Sequence, residues 1–295
     1  MLFEGFRQGD AETRAGAIRH VVGGNGPPVL LLHGHPQTLA MWHRVAPLLA
    51  REFTVVASDL RGYGDSVKPP GDPTHATYSK RAMAQDQVEL MTGLGFERFA
   101  VVGHDRGGRV GHRMCLDHAE RVTAFAPLDI VPTRSMFQNV TKAWAMPYYH
   151  WFFLAQPFDL PERLIGADPD FYLRWHMERR QPTAASVFDP EAMAEYRRCY
   201  TLPGTIHAIC EDYRAAATID LEHDEEDVGR RIDCPVLVLW GENGTVGLHF
   251  DAIAEWRKRA RTAEGMAIPG GHYLAEEASA ETHAALRDFL AGIPA

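Results

Sequence analysis

The sequence predicts an α/β protein built on a mostly parallel central sheet, with helices on both faces and a helical cap inserted into it. Three observations predict this. Short, continuous apolar runs recur along the chain, as in strands buried on both faces, and each is followed by helix-patterned sequence. That alternation is interrupted once, over residues 134–229, where aromatic and charged residues dominate and no comparable run occurs. A Gly-rich turn, Gly103-His104-Asp105-Arg106-Gly107, joins the third apolar run directly to a helix pattern.

The elements follow in order. Residues Ile18 to Val22 read as a weak strand that ends in the turn Gly23-Gly24-Asn25-Gly26-Pro27-Pro28. Val29 to Leu32 (VLLL) is a buried strand running into His33-Gly34-His35-Pro36, with a helix expected from Met41 to Ala50. Phe53 to Ser58 is the next buried strand, then a loop, then a helix over Arg81 to Leu94. Phe99 to Gly103 is a strand and Gly107 to Leu116 a helix; Val122 to Leu128 is a strand again. After the interruption, Val236 to Trp240 and Gly265 to Ile268 are strands, and Glu281 to Leu290 closes the chain as a helix. The expected division is a core of residues 1–133 and 230–295 with a helical cap of residues 134–229. Ligands of open parallel sheets bind beside the carboxyl edge, where such a cap would exclude water.

Composition narrows the function classes. The 295 residues are 45% hydrophobic, enough for a full core, and carry a formal net charge of -9. That sign argues against nucleic acid and against anionic membranes as partners. Any anionic substrate needs a local cationic pocket that overrides the global field. The four cysteines Cys115, Cys199, Cys210 and Cys234 have no paired or ligand-like spacing, as in a reduced intracellular protein. The first residues contain acids and no apolar run, and no stretch approaches the roughly 20 apolar residues of a membrane span. A cytoplasmic location is the expectation.

The turn around Asp105 is a nucleophile elbow, with small flanking residues because strand and helix approach closely there. A carboxylate at its tip needs no base to activate it. It can displace a leaving group from an sp3 carbon, leaving an ester on the enzyme that must then be hydrolysed. The alternative is that Asp105 only caps the following helix.

The run VVGHDRGGRVGHRM, together with HGHPQT upstream and GGHYLAEE near the end, resembles the fluoroacetate and haloacetate dehalogenases of the α/β-hydrolase superfamily, over nearly the whole chain. The most specific part is His-Asp-Arg-Gly-Gly-Arg; haloalkane dehalogenases and epoxide hydrolases usually carry Trp where Arg106 stands. The resemblance implies an α/β-hydrolase fold, a short haloacid as small-molecule substrate, a homodimer, and no metal or organic cofactor.

His272, after the last expected strand, is the candidate base that activates water against the ester. Its supporting acid is either Asp129, after the strand ending at Leu128, or Glu242, after the strand ending at Trp240. The resemblance selects Asp129. The oxyanion would meet the backbone N–H groups of His35 and Arg106. The family often has an aromatic or apolar residue where His35 stands. His33 and His35 lack the carboxylate partners of a metal site, so no metal is expected.

Arg106 and Arg109, three apart on the first helical turn, can face one way and grip a carboxylate by paired hydrogen bonds. The resemblance assigns His150, Trp151 and Tyr213 to a cradle for the departing halide, each offering an N–H or O–H. Trp175 is assigned to the pocket wall or its gate. Two other functions share parts of this pattern. An epoxide hydrolase would use the same Asp nucleophile but protonate an alkoxide with cap tyrosines. A non-catalytic small-molecule receptor on the same fold would not need Asp105, Asp129 and His272 together.

Overall fold

The computed structural model describes residues 2–178 and 187–293. Its sheet has eight strands: β1 (Arg7–Thr13), β2 (Gly16–Gly23), β3 (Pro28–Leu32), β4 (Thr54–Ser58), β5 (Phe99–His104), β6 (Val122–Leu128), β7 (Val236–Gly241) and β8 (Ala263–Ile268). Their spatial order is β1-β2-β4-β3-β5-β6-β7-β8. β1 pairs antiparallel with β2, and β2 antiparallel with β4; every other pairing is parallel. The central strands are apolar on both sides because helices cover both faces.

Helices α1 (Ala46–Leu49), α2 (Lys80–Gly93) and α3 (Arg106–Asp117) connect the first strands. Between β6 and β7 lie α4 (Thr133–Gln138), α5 (Lys142–Ala145), α6 (Tyr149–Leu154), α7 (Leu160–Ala167), α8 (Pro169–Glu178), α9 (Pro190–Tyr200), α10 (Thr205–Ala217) and α11 (Ile219–Glu226). No strand interrupts them among the described residues. After β7 come α12 (Thr245–His249), α13 (Ala252–Arg257), α14 (Leu274–Glu277) and α15 (Ser279–Ala291).

Two elements differ from expectation. β1 alternates between exposed and half-exposed residues, so it carries no apolar run; only pairing with β2 makes it a strand. The single helix expected over Met41 to Ala50 is a 3-10 turn (Leu39–Trp42) followed by α1. Pro47 sits at the start of α1, where its missing N–H costs nothing; inside one long helix it would break the hydrogen-bond ladder.

Register positions the site. Leu32 lies opposite Gly103, His104 opposite Leu128, and Leu128 opposite Leu239, so β3, β5, β6 and β7 end together. The loops that leave these ends carry His35, Asp105 and Asp129 to one edge of the sheet, where β7 ends at Gly241.

Candidate active site

Asp105 follows β5 at φ 46° and ψ −112°, a backbone that L residues rarely adopt. The turn is this sharp because its flanks are glycine: a Cβ on Gly103 would lie 2.5 Å from the carbonyl oxygen of Gly107, and one on Gly107 would lie 2.5 Å from that of His33. The Asp105 side chain does not cap α3. Its Oδ1 instead accepts a 2.9 Å hydrogen bond from the His35 backbone N–H. A Cβ on Gly34 would come within 2.4 Å of the Asp105 Cβ, so the loop after β3 reaches the carboxylate only because residue 34 is glycine. The expectation that Asp105 only caps the following helix is therefore not met.

Burial alone would raise the Asp105 pKa, but the fields of His272, Arg106, His104 and Arg109 reverse it and hold the carboxyl below its usual range. The group stays an anion at neutral pH.

His272 Nδ1 lies 2.6 Å from Asp129 Oδ2. Asp129 Oδ1 accepts the Gly241 N–H at 3.0 Å, which fixes the carboxylate on the imidazole. Glu242 is exposed to solvent, so Asp129 is the acid beside the histidine. The neighbouring His104 Nε2 lies 2.8 Å from the His272 carbonyl oxygen, with the two rings 4.6 Å apart. Burial first, and then His272, push His104 down to about 3, so its Nε2 is the neutral donor of that bond.

Arg106 and Arg109 both turn inward and are 0% and 3% exposed. Arg106 is gripped by Asp212 of α10: Nε donates to Oδ2 at 2.8 Å and Nη2 to Oδ1 at 2.7 Å. Lys80 also pairs with Asp212, and the Tyr63 hydroxyl donates to it at 2.7 Å. Arg109 Nη1 donates to the Val131 carbonyl at 3.0 Å and to Thr133 Oγ1 at 3.1 Å. What remains is one unpartnered buried donor on each side chain, Arg106 Nη1 and Arg109 Nε. Burial pushes Arg109 down to about 10, which leaves it cationic at neutral pH. The two guanidinium groups lie over one aromatic wall: Arg109 is 4.5 Å from the Trp151 ring centroid and Arg106 4.2 Å from that of Tyr213.

Trp151 and His150 come from α6 and Tyr213 from α10, and the structure brings all three together. The Tyr213 ring is 5.7 Å from His150 and 6.1 Å from Trp151. Each of the three is 3% exposed or less, and Trp151 Nε1 is a buried donor without a partner. Trp175 is a correction. Its side chain is 52% exposed, because α8 turns Leu173, His176 and Met177 inward and the intervening position outward. It does not wall the site.

Sequence reasoning missed Asp212, Lys80, Tyr63, His104 and His176. Asp212 stands beside Tyr213 in Glu211-Asp212-Tyr213-Arg214, and an acid next to a pocket residue on a helical insert was the available signal. The arrangement supplies an anionic carboxylate that accepts a backbone N–H, an imidazole beside an acid, two cationic donors and a ring of aromatic N–H and O–H groups. Among the described residues, no helix is long and apolar enough to cross a membrane.

The family model described as alpha/beta hydrolase fold matches residues 27–279. A fluoroacetate dehalogenase from Burkholderia sp is 50% identical over 289 residues, covering 98% of this chain and 95% of that protein. A soluble epoxide hydrolase from Corynebacterium sp. (strain C12) is 35% identical over 274 residues, 88% of each. The crystal structure of ALR0039 from Nostoc sp PCC 7120 superposes with a TM-score of 0.97 at 56% identity, covering 99% of this chain and 100% of that one.

Proposed function

Because the chain belongs to the α/β-hydrolase fold family, we propose that it is a hydrolase of carbon–halide bonds that converts a short α-haloacid, fluoroacetate above all, to the 2-hydroxyacid and halide. The observation that carries this is the pair of unpartnered buried donors, Arg106 Nη1 and Arg109 Nε, beside an anionic elbow carboxylate. Buried donors without a partner are rare and costly, so a ligand carboxylate is the natural occupant.

In this reading the two arginines hold the haloacid carboxylate and offset its repulsion from Asp105. A carboxylate oxygen of Asp105 attacks the α-carbon, the carbon–halogen bond breaks, and the halide leaves with the electron pair toward His150, Trp151 and Tyr213. His272 then takes a proton from water as the water oxygen adds to the ester carbonyl, and Asp129 stabilises the imidazolium. The oxyanion is met by the His35 N–H, already on the carboxylate at 2.9 Å, and by the Arg106 N–H at the start of α3, which has no partner within its own helix. Collapse returns the Asp105 carboxylate and releases the hydroxyacid and a proton. In this reading the segment 134–229 acts as the cap that keeps water out. No metal or organic cofactor takes part.

Fluoride-electrode assay with fluoroacetate tests the proposal, with chloroacetate and styrene oxide in parallel. Halide release dependent on Asp105 is the expected result. Styrene oxide opening without halide release from either acid would transfer the site to epoxide chemistry, which the Corynebacterium relative's name represents. The same reading carries a homodimer and a cytoplasmic location, to be checked by sedimentation velocity and by cell fractionation.

A further inference from the structure

Two imidazoles outside the mechanism close one flank of the aromatic cradle. His35 lies on the loop after β3 and His176 on α8, and each is 1% exposed. The His35 ring is 5.3 Å from Tyr213 at 81° and 6.3 Å from His150. The His176 ring meets His150 edge to face at 4.5 Å and 89°, and His35 at 4.9 Å and 77°. The cradle is also lined by cations, with Arg109 over Trp151 and Arg106 over Tyr213. The cradle therefore has arginines, where an acid group belongs, and imidazoles packed ring on ring.

We propose that the His35 and His176 side chains are specificity-determining residues, forming the back wall of the halide cradle and setting the largest halogen it accepts. The inference rests on the dehalogenase reading above.

Both rings are buried and held by their neighbours. The His35 backbone is tied to Asp105 through its N–H, so displacing the residue would disturb the nucleophile. His176 sits between the buried Leu173 and Met177 on one helix face. Ring centroids at 4.5 to 4.9 Å in edge-to-face geometry are already in contact. A halogen larger than fluorine must push against that contact, and the packed interior gives way poorly. Fluorine, the smallest halogen, presses on that contact least. The wall thus acts against larger leaving groups, while His150, Trp151 and Tyr213 supply attraction for any of them.

The test is the ratio of kcat/KM for bromoacetate to that for fluoroacetate, followed by halide release, in the native enzyme, His176→Ala and His35→Ala. Both variants keep the backbone N–H groups of the site. The expected result is a rise in the ratio of about tenfold or more in at least one variant, the scale on which a pocket discriminates by a small group. Comparing each ratio with the native one cancels the intrinsic difference between the two carbon–halogen bonds. A native enzyme that turns over haloacetates, with folded variants of unchanged ratio by circular dichroism, overturns the wall alone. A native enzyme that releases no halide from either acid overturns the dehalogenase reading and the wall with it. If His176→Ala does not fold, His35→Ala decides by the same ratio.

Discussion

The Arg106 guanidinium lies flat against the Asp212 carboxylate, with parallel bonds of 2.8 and 2.7 Å, and both side chains are fully buried. The pair joins α3, the helix that follows Asp105, to α10, which also carries Tyr213. It orients the guanidinium so that only Nη1 is left to a ligand. Lys80 supplies a second cation to the same carboxylate and is itself also paired with Asp220, at 3.4 Å.

Replacing Asp212 with Asn removes the carboxylate partner of the buried Arg106, while Lys80 keeps Asp220 at 3.4 Å. Breaking a buried pair in this way costs about 3 to 5 kcal/mol, because the remaining charge is left uncompensated. Urea unfolding of D212N should show a loss of that size, with KM for the haloacid raised as Arg106 loses its orientation. A stability equal to the native protein's would show that Asp212 does not hold Arg106.

Arg109→Lys keeps a positive charge but not the planar fork that spans Val131, Thr133 and the site. A charge-assisted hydrogen bond is worth about 1.5 to 3 kcal/mol, so KM for chloroacetate should rise by roughly ten- to a hundredfold. Steady-state kinetics decide it, and a change confined to kcat would place Arg109 away from the bound acid.

His272→Asn should leave the first chemical step intact and stop the second. One equivalent of halide would be released per site, and mass spectrometry would find the glycolyl ester on the peptide containing Asp105. A variant that releases no burst and carries no ester would count against a covalent route. Asp129→Asn should slow the same second step, since it loses the anion 2.6 Å from the His272 ring.

Stability should fall with pH through Glu276. Burial pushes its carboxyl up from 4.5 to about 8, although Gln37 and Tyr196 both donate to it. A folded pKa above the unfolded one means that the folded chain holds a proton the unfolded chain has lost. The contribution is therefore complete below 4.5 and is lost as pH rises toward about 8. Glu276→Gln, neutral at every pH, should flatten the fall in Tm across that window. An unchanged slope would assign the pH dependence to other groups. Asp105 behaves in the opposite sense: its lowered pKa makes its contribution present above the unfolded value and lost only in strong acid.

Much of the fold was legible because its signals are local. VLLL, FAVVG and VLVLW are buried on both faces and read as strands without reference to anything distant. β1 was not legible, since its half-exposed residues become a strand only by pairing with β2. The elbow, His272 and the inward pair Arg106 and Arg109 were legible from residue type at an element boundary. Trp175 was misread as a pocket wall because, in a helical insert rich in aromatics, which face points inward depends on packing.

The sequence alone determined the chemistry available: a carboxylate on a tight Gly-flanked turn, a late histidine, and two arginines one helical turn apart, all set by short-range sterics and spacing. The tertiary structure decided which groups meet. It chose Asp129 over Glu242, gave Arg106 to Asp212, put His176 rather than Trp175 inside, and closed His35 against the cradle. Those contacts join residues far apart in the chain, and burial in a common low-dielectric site, which no local pattern reports, is what gives them their strength.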